Sequence, residues 1–444
     1  MNTPIADFVK DYAEKNMSRF HMPGHKGKAF VGCELFDITE VSGADALYEA
    51  EGIIAESEKN ATSLFGTGRT VYSTEGSSQC IRAMLYLAVT ERKTKGRPVV
   101  LATRNVHKAF IYAAALVDFD VEWLWPEMDM NSLCSCIVSP AMLEAKLKEM
   151  NEIPAAVYVT SPDYLGQQQD ISALAEVCHR HGTILAVDNA HGAYLHFTMP
   201  AKHPIDLGAD ICCDSAHKTL PVLTGGAYLH ISKDAPENFI KHAKKAMALF
   251  GSTSPSYLIM HSLDLCNKYL ADSYSDRLFC TVEILKFMRN ELRNRGWKVE
   301  ETEPLKLTIS MPEGLTGMQM AELLRGQQIE CEFADPEYLV FMFTPENTEE
   351  DYQRIYEAFE ENTKPYVNKK SIPVPKCVQK CSIREAVFAK HEEVPLKNAL
   401  GRICGTPTVS CPPAIPIAVS GEEINEQTIS LFEYYGMKEI DVLY

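Results

Sequence analysis

Short, continuously apolar segments alternate with helix-like segments along the first half of the chain. The apolar segments are rich in β-branched residues, which is typical of buried strands in parallel sheets. The segments between them place apolar residues at helical spacing. Strands and helices in alternation predict βαβ units, and therefore an α/β domain whose mainly parallel sheet is covered on both faces. The predicted strands are TVYST, RPVVLAT, DVEWLW, AAVYVTSP, TILAVDN, DICC and GGAYLHI.

The pattern changes after this region. Residues 235–290 are helical in pattern, and the order strand, helix, strand, helix that follows indicates a second, smaller α+β domain. The proline-rich stretch at 365–377 lacks periodicity, which is typical of a linker. Beyond it we predict a short helix, IREAVF, and later a helix that runs to the end of the chain. The predicted organisation is an N-terminal segment at 1–45, a large domain at 46–290, a small domain at 296–364 and a C-terminal domain at 365–444.

Composition and charge narrow the class of protein. The 444-residue chain has a formal net charge of −17, which argues against nucleic acid or an anionic membrane as partner and suits a cationic substrate. The N-terminus has no apolar signal region, and no apolar run approaches membrane-spanning length. The 14 cysteines are therefore expected to be reduced, in a cytoplasmic protein. Because Cys377, Cys381, Cys404 and Cys411 lack the tight paired spacing of zinc ligands, we predict no metal site.

Two charged residues stand at the ends of predicted central strands. Asp188 ends the apolar run TILAV, and Lys218 closely follows DICC. Open α/β sheets bind ligands at the carboxyl ends of their strands, so both side chains are expected at a binding crevice. A lysine that holds pyridoxal phosphate needs a partly desolvated amine, polar groups for the phosphate and a carboxylate facing the pyridinium. The alternative is a surface lysine and an aspartate that caps a helix.

Two further motifs lie at helix boundaries. Gly76-Ser77-Ser78 begins a predicted helix, where N–H groups, hydroxyls and the positive end of the helix dipole favour an anion. Taken alone, a serine N-cap explains the same residues. Farther along, Gly251-Ser252-Thr253-Ser254-Pro255 separates two predicted helices.

Many motifs occur in an order that belongs to a known family. They include FHMPGHKG, STEGSS, RNVHKAF, TSPDYLGQQQDI, VDNAHGAYLHF, DSAHKTLPVLTGGAYLHI, GSTSPSY, SIREA, ALGRI and CPPAIPIAVSGE. In these motifs the chain resembles the bacterial ornithine/lysine/arginine decarboxylases, pyridoxal-phosphate enzymes of the aspartate-aminotransferase fold (fold type I). It resembles the short form, which lacks an N-terminal wing domain, and the match runs nearly from end to end.

The resemblance implies roles for individual residues around the cofactor ring. Lys218 would bind pyridoxal phosphate as a Schiff base, and Asp188 would pair with the protonated pyridine nitrogen. His107 would stack on one face of the ring, and Ala190 would pack on the other. The distal cation of the substrate needs acidic or aromatic partners, for which the candidates are the 331–338 region, with Glu332 and Asp335, or residues of the other subunit.

The resemblance also implies how the phosphate is held and how subunits associate. Ser77 and Ser78 would hold the phosphate, helped by Ser215 and His217. Either Ser252 or Thr253 would reach the phosphate of the other subunit, so the site would form only in a homodimer or in a larger assembly built from it.

The function implied by the resemblance is decarboxylation of a basic amino acid in polyamine metabolism, with arginine ranked first, then lysine and ornithine. Two departures bear on substrate preference: Asn189 stands where the family commonly has glutamate, and Cys411-Pro412-Pro413-Ala414 stands where it commonly has Tyr-Pro-Pro-Gly. Another reaction on the same cofactor, such as transamination, is an alternative that a stoichiometric keto-acid requirement would reveal. A non-catalytic regulatory homologue is a second alternative, which would lack cofactor absorbance.

Overall fold

The computed structural model describes residues 1–126, 132–366, 373–407 and 414–444. The chain forms two compact units, and neither is one continuous stretch of sequence. The first unit comprises residues 1–93, 155–157 and 171–277, and the second comprises 94–154, 158–170 and 278–444. The four segments expected from the sequence pattern remain a prediction.

Fourteen α-helices and thirteen strands are found in the described residues. The helices are α1 Pro4–Glu14, α2 Ile53–Leu64, α3 Gly76–Thr90, α4 Lys108–Val117, α5 Pro140–Glu149, α6 Ile171–Arg180, α7 Ala216–Thr219, α8 Glu237–Leu249, α9 Tyr257–Asp272, α10 Tyr274–Asn294, α11 Gly317–Arg325, α12 Glu349–Ala358, α13 Ile383–Phe388 and α14 Glu426–Tyr434. The strands are β1 Arg69–Ser73, β2 Val99–Thr103, β3 Asp120–Leu124, β4 Ala156–Thr160, β5 Leu185–Asp188, β6 Ile211–Asp214, β7 Ala227–Ile231, β8 Lys298–Val299, β9 Lys306–Ser310, β10 Phe333–Ala334, β11 Tyr338–Met342, β12 His391–Pro395 and β13 Glu439–Leu443.

The predicted α/β fold class is confirmed. Seven strands form a central sheet in the order β1-β7-β6-β5-β4-β2-β3. β2 and β3 pair in parallel, as do β5 and β6, whereas β7 runs antiparallel to both of its neighbours. In the β5–β6 pair Asp188 lies opposite Cys213, so these two strands end side by side. The residues that follow β5 and β6 therefore meet at one edge of the sheet.

Three neighbouring strands of the first unit are buried along their whole length, and candidate site residues lie at or after the ends of two of them. Every residue of β5, β6 and β7 is buried, which explains why their sequences are continuously apolar apart from a few polar side chains. A buried polar group must find a hydrogen-bond partner. Asp188 accepts from Ala190 N–H, Asp214 from Asn189, and Tyr228 donates to Asn267.

The N-terminal helix α1 is attached to its unit by a buried carboxylate. Asp264, on α9, accepts hydrogen bonds from the backbone N–H groups of Ile5 (2.9 Å) and Ala6 (3.0 Å), and from the hydroxyl of Ser57 (2.5 Å). The first N–H groups of a helix have no partner within the helix, and a negative charge there also suits the helix dipole. A side chain from α9 thus supplies the cap that Thr3 does not provide.

We expect Asp264→Ala to loosen α1. The substitution leaves two buried helix N–H groups without an acceptor, at a cost of about 1–3 kcal/mol each. Hydrogen exchange followed by mass spectrometry should show faster exchange in residues 4–14 with little change elsewhere. Asp264→Asn keeps an acceptor oxygen and serves as the matched control, with a smaller effect. Equal exchange in α1 for wild type and Asp264→Ala would show that this carboxylate does not anchor the helix.

The second unit contains two smaller sheets. One has four strands in the order β10-β11-β9-β8, and the other pairs β12 with β13. The strand–helix order predicted for 296–364 and the short helix α13 are both present. The prediction of a helix running to the end of the chain is wrong, because residues 439–443 form β13. Ile440 and Val442 are buried there while Glu439, Asp441 and Leu443 are not, which is the period of a strand.

Three sequence predictions fall partly or wholly outside the described residues. The first is the linker at 365–377, of which 367–372 are not described. The others are the loop Cys411-Pro412-Pro413 and the prediction that Cys411 is not a zinc ligand. The other 13 cysteines are free thiols. In the described part of the chain, no helix is long and apolar enough to cross a membrane.

Candidate active site

Asp188 lies at the carboxyl end of β5, as predicted, and only 3 % of its surface is exposed. Its Oδ1 accepts the backbone N–H of Ala190 (3.2 Å) and lies 3.7 Å from the Cys213 sulfur. A buried carboxylate is costly unless a positive or hydrogen-bonding group faces it. Asp188 therefore has the burial and position that a partner for a protonated pyridine nitrogen needs.

Lys218 lies in the short helix α7, directly after β6. Its Nζ is 3.0 Å from Nε2 of His191, which is 4 % exposed, while Lys218 itself is half-buried. In such a contact one nitrogen donates and the other accepts, so the pair can hold one proton between them. An amine that is partly desolvated and faces a second base is suited to covalent and acid–base chemistry.

His191 was not among the residues selected from the sequence. It lies three residues after Asp188, in the motif Asp188-Asn189-Ala190-His191, and 27 residues before Lys218. The motif itself was noted, but only the paired ends of β5 and β6 bring this histidine to the lysine. His191 could have been identified from its position, because it lies just after a strand that ends in a candidate cofactor carboxylate.

The two predicted phosphate-binding motifs meet at the start of α3. The Ser215 hydroxyl donates to the Ser77 hydroxyl (2.8 Å), although the two residues are far apart in sequence. Ser77 and Ser78 occupy the first turn of α3, a 15-residue helix whose N-terminus carries a partial positive charge. Both serines are half-buried and Ser215 is buried. Hydroxyls and helix N–H groups gathered in this way suit a phosphate.

Gly225, which follows Lys218 in the sequence, permits a close backbone contact with the start of α3. Gly76 N–H donates to Gly225 O (2.7 Å), and a Cβ on Gly225 would come within 2.9 Å of Thr74 O. Gly225 also has φ of +99°, which disfavours other residues. His217 donates both its backbone N–H (3.2 Å) and its Nδ1–H (3.0 Å) to Gly226 O, which orients its ring.

Ser252 and Thr253 are exposed. The backbone N–H of Ser252 donates to the carboxylate of Glu75, the residue just before α3. Gly251 lies so close to Tyr48 that a Cβ would come within 1.8 Å of its hydroxyl. The loop is thus held against the start of α3, and contact of Ser252 or Thr253 with a second subunit remains a prediction.

His107 belongs to the second unit, where it caps α4. Its Nδ1 accepts the backbone N–H of Ala109 (3.1 Å), so the ring proton of the neutral imidazole is on Nε2. The next residue, Lys108, donates its N–H to Ala414 O (2.9 Å). Ala414 has φ of +58°, a conformation that glycine adopts without strain. This is the position where the resembling family commonly has glycine. Stacking of His107 on the cofactor remains a prediction.

The candidates for binding the substrate's distal cation also lie in the second unit. Asp335 is buried and accepts the N–H groups of Glu337 (2.8 Å) and Tyr338 (2.6 Å), so it closes the turn between β10 and β11. Glu332 is exposed and accepts the Tyr164 hydroxyl (2.9 Å). A substrate role for either remains a prediction.

The residues of the first unit fit pyridoxal phosphate. The cofactor carries an aldehyde, a ring nitrogen that is protonated when active, and a phosphate. Lys218 offers the amine, Asp188 a buried carboxylate, and the serines at the start of α3 offer hydroxyls and helix N–H groups. This set of groups matches the chemistry of the cofactor at each of its three ends.

Comparison with known proteins leads to the same family. A model of the Orn/Lys/Arg decarboxylase major domain matches residues 3–311, and a model of the C-terminal domain of the same family matches residues 361–440. The arginine decarboxylase of Bacillus subtilis is 30% identical over 99% of this chain and 94% of its own length. The arginine decarboxylase of Bacillus anthracis is 27% identical over 96% of this chain and 92% of its own.

A solved structure has the same fold. The lysine decarboxylase of Francisella novicida superposes with a TM-score of 0.82 at 18% identity, covering 100% of this chain and 81% of its own. The family models and the Bacillus relatives confirm the family resemblance read from the motifs. The chain belongs to the Orn/Lys/Arg decarboxylase family and is a pyridoxal-phosphate-dependent amino-acid decarboxylase.

Proposed function

We propose that this enzyme decarboxylates arginine in preference to lysine and ornithine, with Lys218 holding the cofactor and Asp188 facing its ring nitrogen. The observation that carries the site assignment is the group formed by Lys218, His191 and Asp188 at the adjacent ends of β5 and β6. Support for arginine comes from the Bacillus relatives that bear the name arginine decarboxylase.

The cofactor supplies an electron sink for the pair of electrons released when carbon dioxide leaves. The chain's own residues have three tasks around it. Asp188 keeps a positive charge favourable at the ring nitrogen, because a buried carboxylate stabilises a proton opposite it. The serines at the start of α3 hold the phosphate end in place. Lys218 and His191 hold a proton between Nζ and Nε2 that can be delivered to the substrate carbon.

The proposed substrate class rests on the family and on its arginine decarboxylase relatives. The net charge of −17 attracts a cation but does not select one. Selection requires a buried carboxylate that pairs with the distal guanidinium or ammonium. When a neutral amino acid binds, that carboxylate is left unpaired, which costs about 3–5 kcal/mol.

Substrate preference is therefore measured as kcat/KM for arginine, lysine, ornithine and norleucine, with the amine product identified by chromatography. We expect arginine to be best and norleucine to be poorer by on the order of a hundredfold or more. Norleucine is the matched control, since it has a similar length and no distal charge. Comparable values for norleucine and the best basic substrate would contradict a basic-amino-acid site. A clear preference for lysine or ornithine would overturn arginine alone.

We further propose a homodimer with shared sites, on the basis of the exposed Ser252 and Thr253 loop. Mixing Lys218→Ala protein with a Ser252→Ala/Thr253→Ala protein tests this, after subunit exchange has been verified by native mass spectrometry. Random pairing into two-fold dimers should restore about a quarter of the wild-type activity, because half of the dimers then hold one intact site. Each variant mixed with itself is the control. Exchange without any recovery of activity would mean that each site uses one chain only.

A further inference from the structure

A cluster of four buried polar side chains lies beneath the segment that carries Lys218. It consists of Asn189, His203, Asp214 and His230, each with 0 % exposure, and is called the Asp214 cluster below. The Asp214 Oδ1 accepts from Asn189 Nδ2 at 2.7 Å. Its Oδ2 lies 3.0 Å from His203 Nε2 and 3.2 Å from His230 Nε2. The proposed chemistry assigns no role to these four residues.

The cluster joins the two strand ends that carry the proposed cofactor residues. Asn189 directly follows Asp188, and Asp214 is the last residue of β6, four positions before Lys218. The backbone N–H of Asn189 donates to Cys213 O (3.0 Å), which is the last bond of the β5–β6 ladder. The side-chain bond from Asn189 to Asp214 adds a second link just beyond it. This pair of side chains therefore links the segments that carry Asp188 and Lys218.

The hydrogen bonds indicate which member carries a charge. The backbone N–H of Ile205 donates to His203 Nδ1 (3.4 Å), so the ring proton of a neutral His203 is on Nε2, which donates to Asp214. Burial would raise the pKa of Asp214, but the imidazoles of His203 and His230 outweigh burial and lower that pKa below its ordinary value. Asp214 is therefore the ionised member, with hydrogen-bond donors in Asn189 and His203 and the His230 ring beside it.

His203, Asp214 and His230 also bring three possible metal-ligand atoms together, the one such group in the described residues. A metal-bound imidazole nitrogen cannot keep its proton. At His203 the nitrogen facing Asp214 carries the proton, because the other nitrogen accepts from Ile205. His230 Nδ1 lies 2.8 Å from the Thr70 hydroxyl and takes part in a hydrogen-bond chain with Thr67. Hydrogen bonds account for the orientation of the His203 ring and for the partner of His230 Nδ1.

We propose that Asn189 and Asp214, supported by His203 and His230, are positioning residues that hold Lys218 at the distance from Asp188 that decarboxylation requires. This inference rests on the proposed assignment of Lys218 and Asp188 to the cofactor. It predicts that the bond between Asn189 and Asp214 matters for turnover, whereas cofactor binding through the phosphate end does not depend on it.

Three variants test the proposal. Asn189→Leu removes the bond and keeps the number and branching of the side-chain heavy atoms. Asn189→Asp places a second carboxylate 2.7 Å from the ionised Asp214, so the two groups repel unless one takes up a proton. The exchange Asn189→Asp/Asp214→Asn restores the bond in the reverse direction, and the new amide oxygen at position 214 can accept from His203. The matched control is Asn267→Leu, which removes a buried asparagine that bonds Tyr72 (2.6 Å) and Tyr228 (3.0 Å) instead.

Turnover is measured per bound cofactor, with occupancy from absorbance and folding from thermal unfolding. We expect Asn189→Leu and Asn189→Asp to lower kcat by on the order of 10- to 100-fold, because small displacements of reacting groups cost rate, while KM changes less than about threefold. The exchange variant should recover kcat to within about tenfold of the wild type, and Asn267→Leu should lose stability without losing kcat.

Two kinds of result would contradict the proposal, one from kinetics and one from metal analysis. Unchanged kcat per bound cofactor in both Asn189 variants, or no recovery in the exchange variant, would overturn the positioning role. About one tightly bound metal per chain by elemental analysis would overturn it in favour of a metal site. Borohydride reduction of the wild type, followed by peptide mapping, is the separate test of the proposed function. If Lys218 is labelled but the variants behave as wild type, only the positioning role fails.

Discussion

Lys218→Ala protein should have no measurable decarboxylase activity, a fall in kcat of at least about 10⁴-fold. The substitution removes the amine that would hold the cofactor and, with it, half of the proton-holding pair formed with His191 at 3.0 Å. Two functions are lost together, so the effect should exceed that of any other single substitution at the site. The visible absorbance of lysine-bound pyridoxal phosphate should disappear as well, since the amine that forms this bond is removed.

Lys233→Ala is the control for this result, because Lys233 belongs to the same unit and its side chain is exposed. It should match the wild type in spectrum and turnover. His191→Ala provides an intermediate case, in which the spectrum remains and kcat falls by about 10²- to 10⁴-fold through loss of acid–base assistance. An unchanged spectrum in the Lys218→Ala protein would show that another residue holds the cofactor.

Asp188→Asn should lower kcat by about 100-fold or more while leaving cofactor occupancy nearly intact. A neutral amide no longer favours a proton on the ring nitrogen, so the ring becomes a poorer electron sink. The phosphate contacts at the start of α3 are untouched, and the amide oxygen can still accept from Ala190 N–H. Loss of turnover with retained binding is the signature of a group that acts during reaction.

A matched control for Asp188 is available at the other end of the same strand. Asp210 is also buried, and its carboxylate accepts the backbone N–H of Leu185 (2.8 Å) at the start of β5. Asp210→Asn should reduce stability without lowering kcat of the folded protein. If Asp188→Asn and Asp210→Asn had similarly small effects on kcat, Asp188 would be a structural group that caps the turn after β5.

Much of the fold could be predicted from the sequence because the central strands are continuously apolar. The β5 and β6 segments are buried on both faces, so their apolar runs indicated strands and placed Asp188 and Lys218 at strand ends. The C-terminal β13 was missed although Ile440 and Val442 alternate with more exposed residues. A five-residue strand so close to a helix carries too few alternations for local pattern to decide.

Site residues could be predicted from the sequence only where a residue's own motif indicates its role. Ser77 and Ser215 were each selected from their own motif, and the fold brings their hydroxyls within 2.8 Å. His203 and His230 gave no signal, because their partner Asp214 becomes their neighbour only when the sheet forms. Contacts of this kind depend on strand order, which the sequence pattern does not contain.

The bond between Asn189 and Asp214 also constrains the order in which mutations can accumulate here. An aspartate at position 189 would meet an ionised Asp214 at 2.7 Å, so that first step is unfavourable. An asparagine at position 214 is a milder first step, since Asn189 can turn its amide around and offer Oδ1, which has no hydrogen-bond partner among the described residues. The same two substitutions are therefore accessible to evolution along one path and blocked along the other, a case of sign epistasis between adjacent strands.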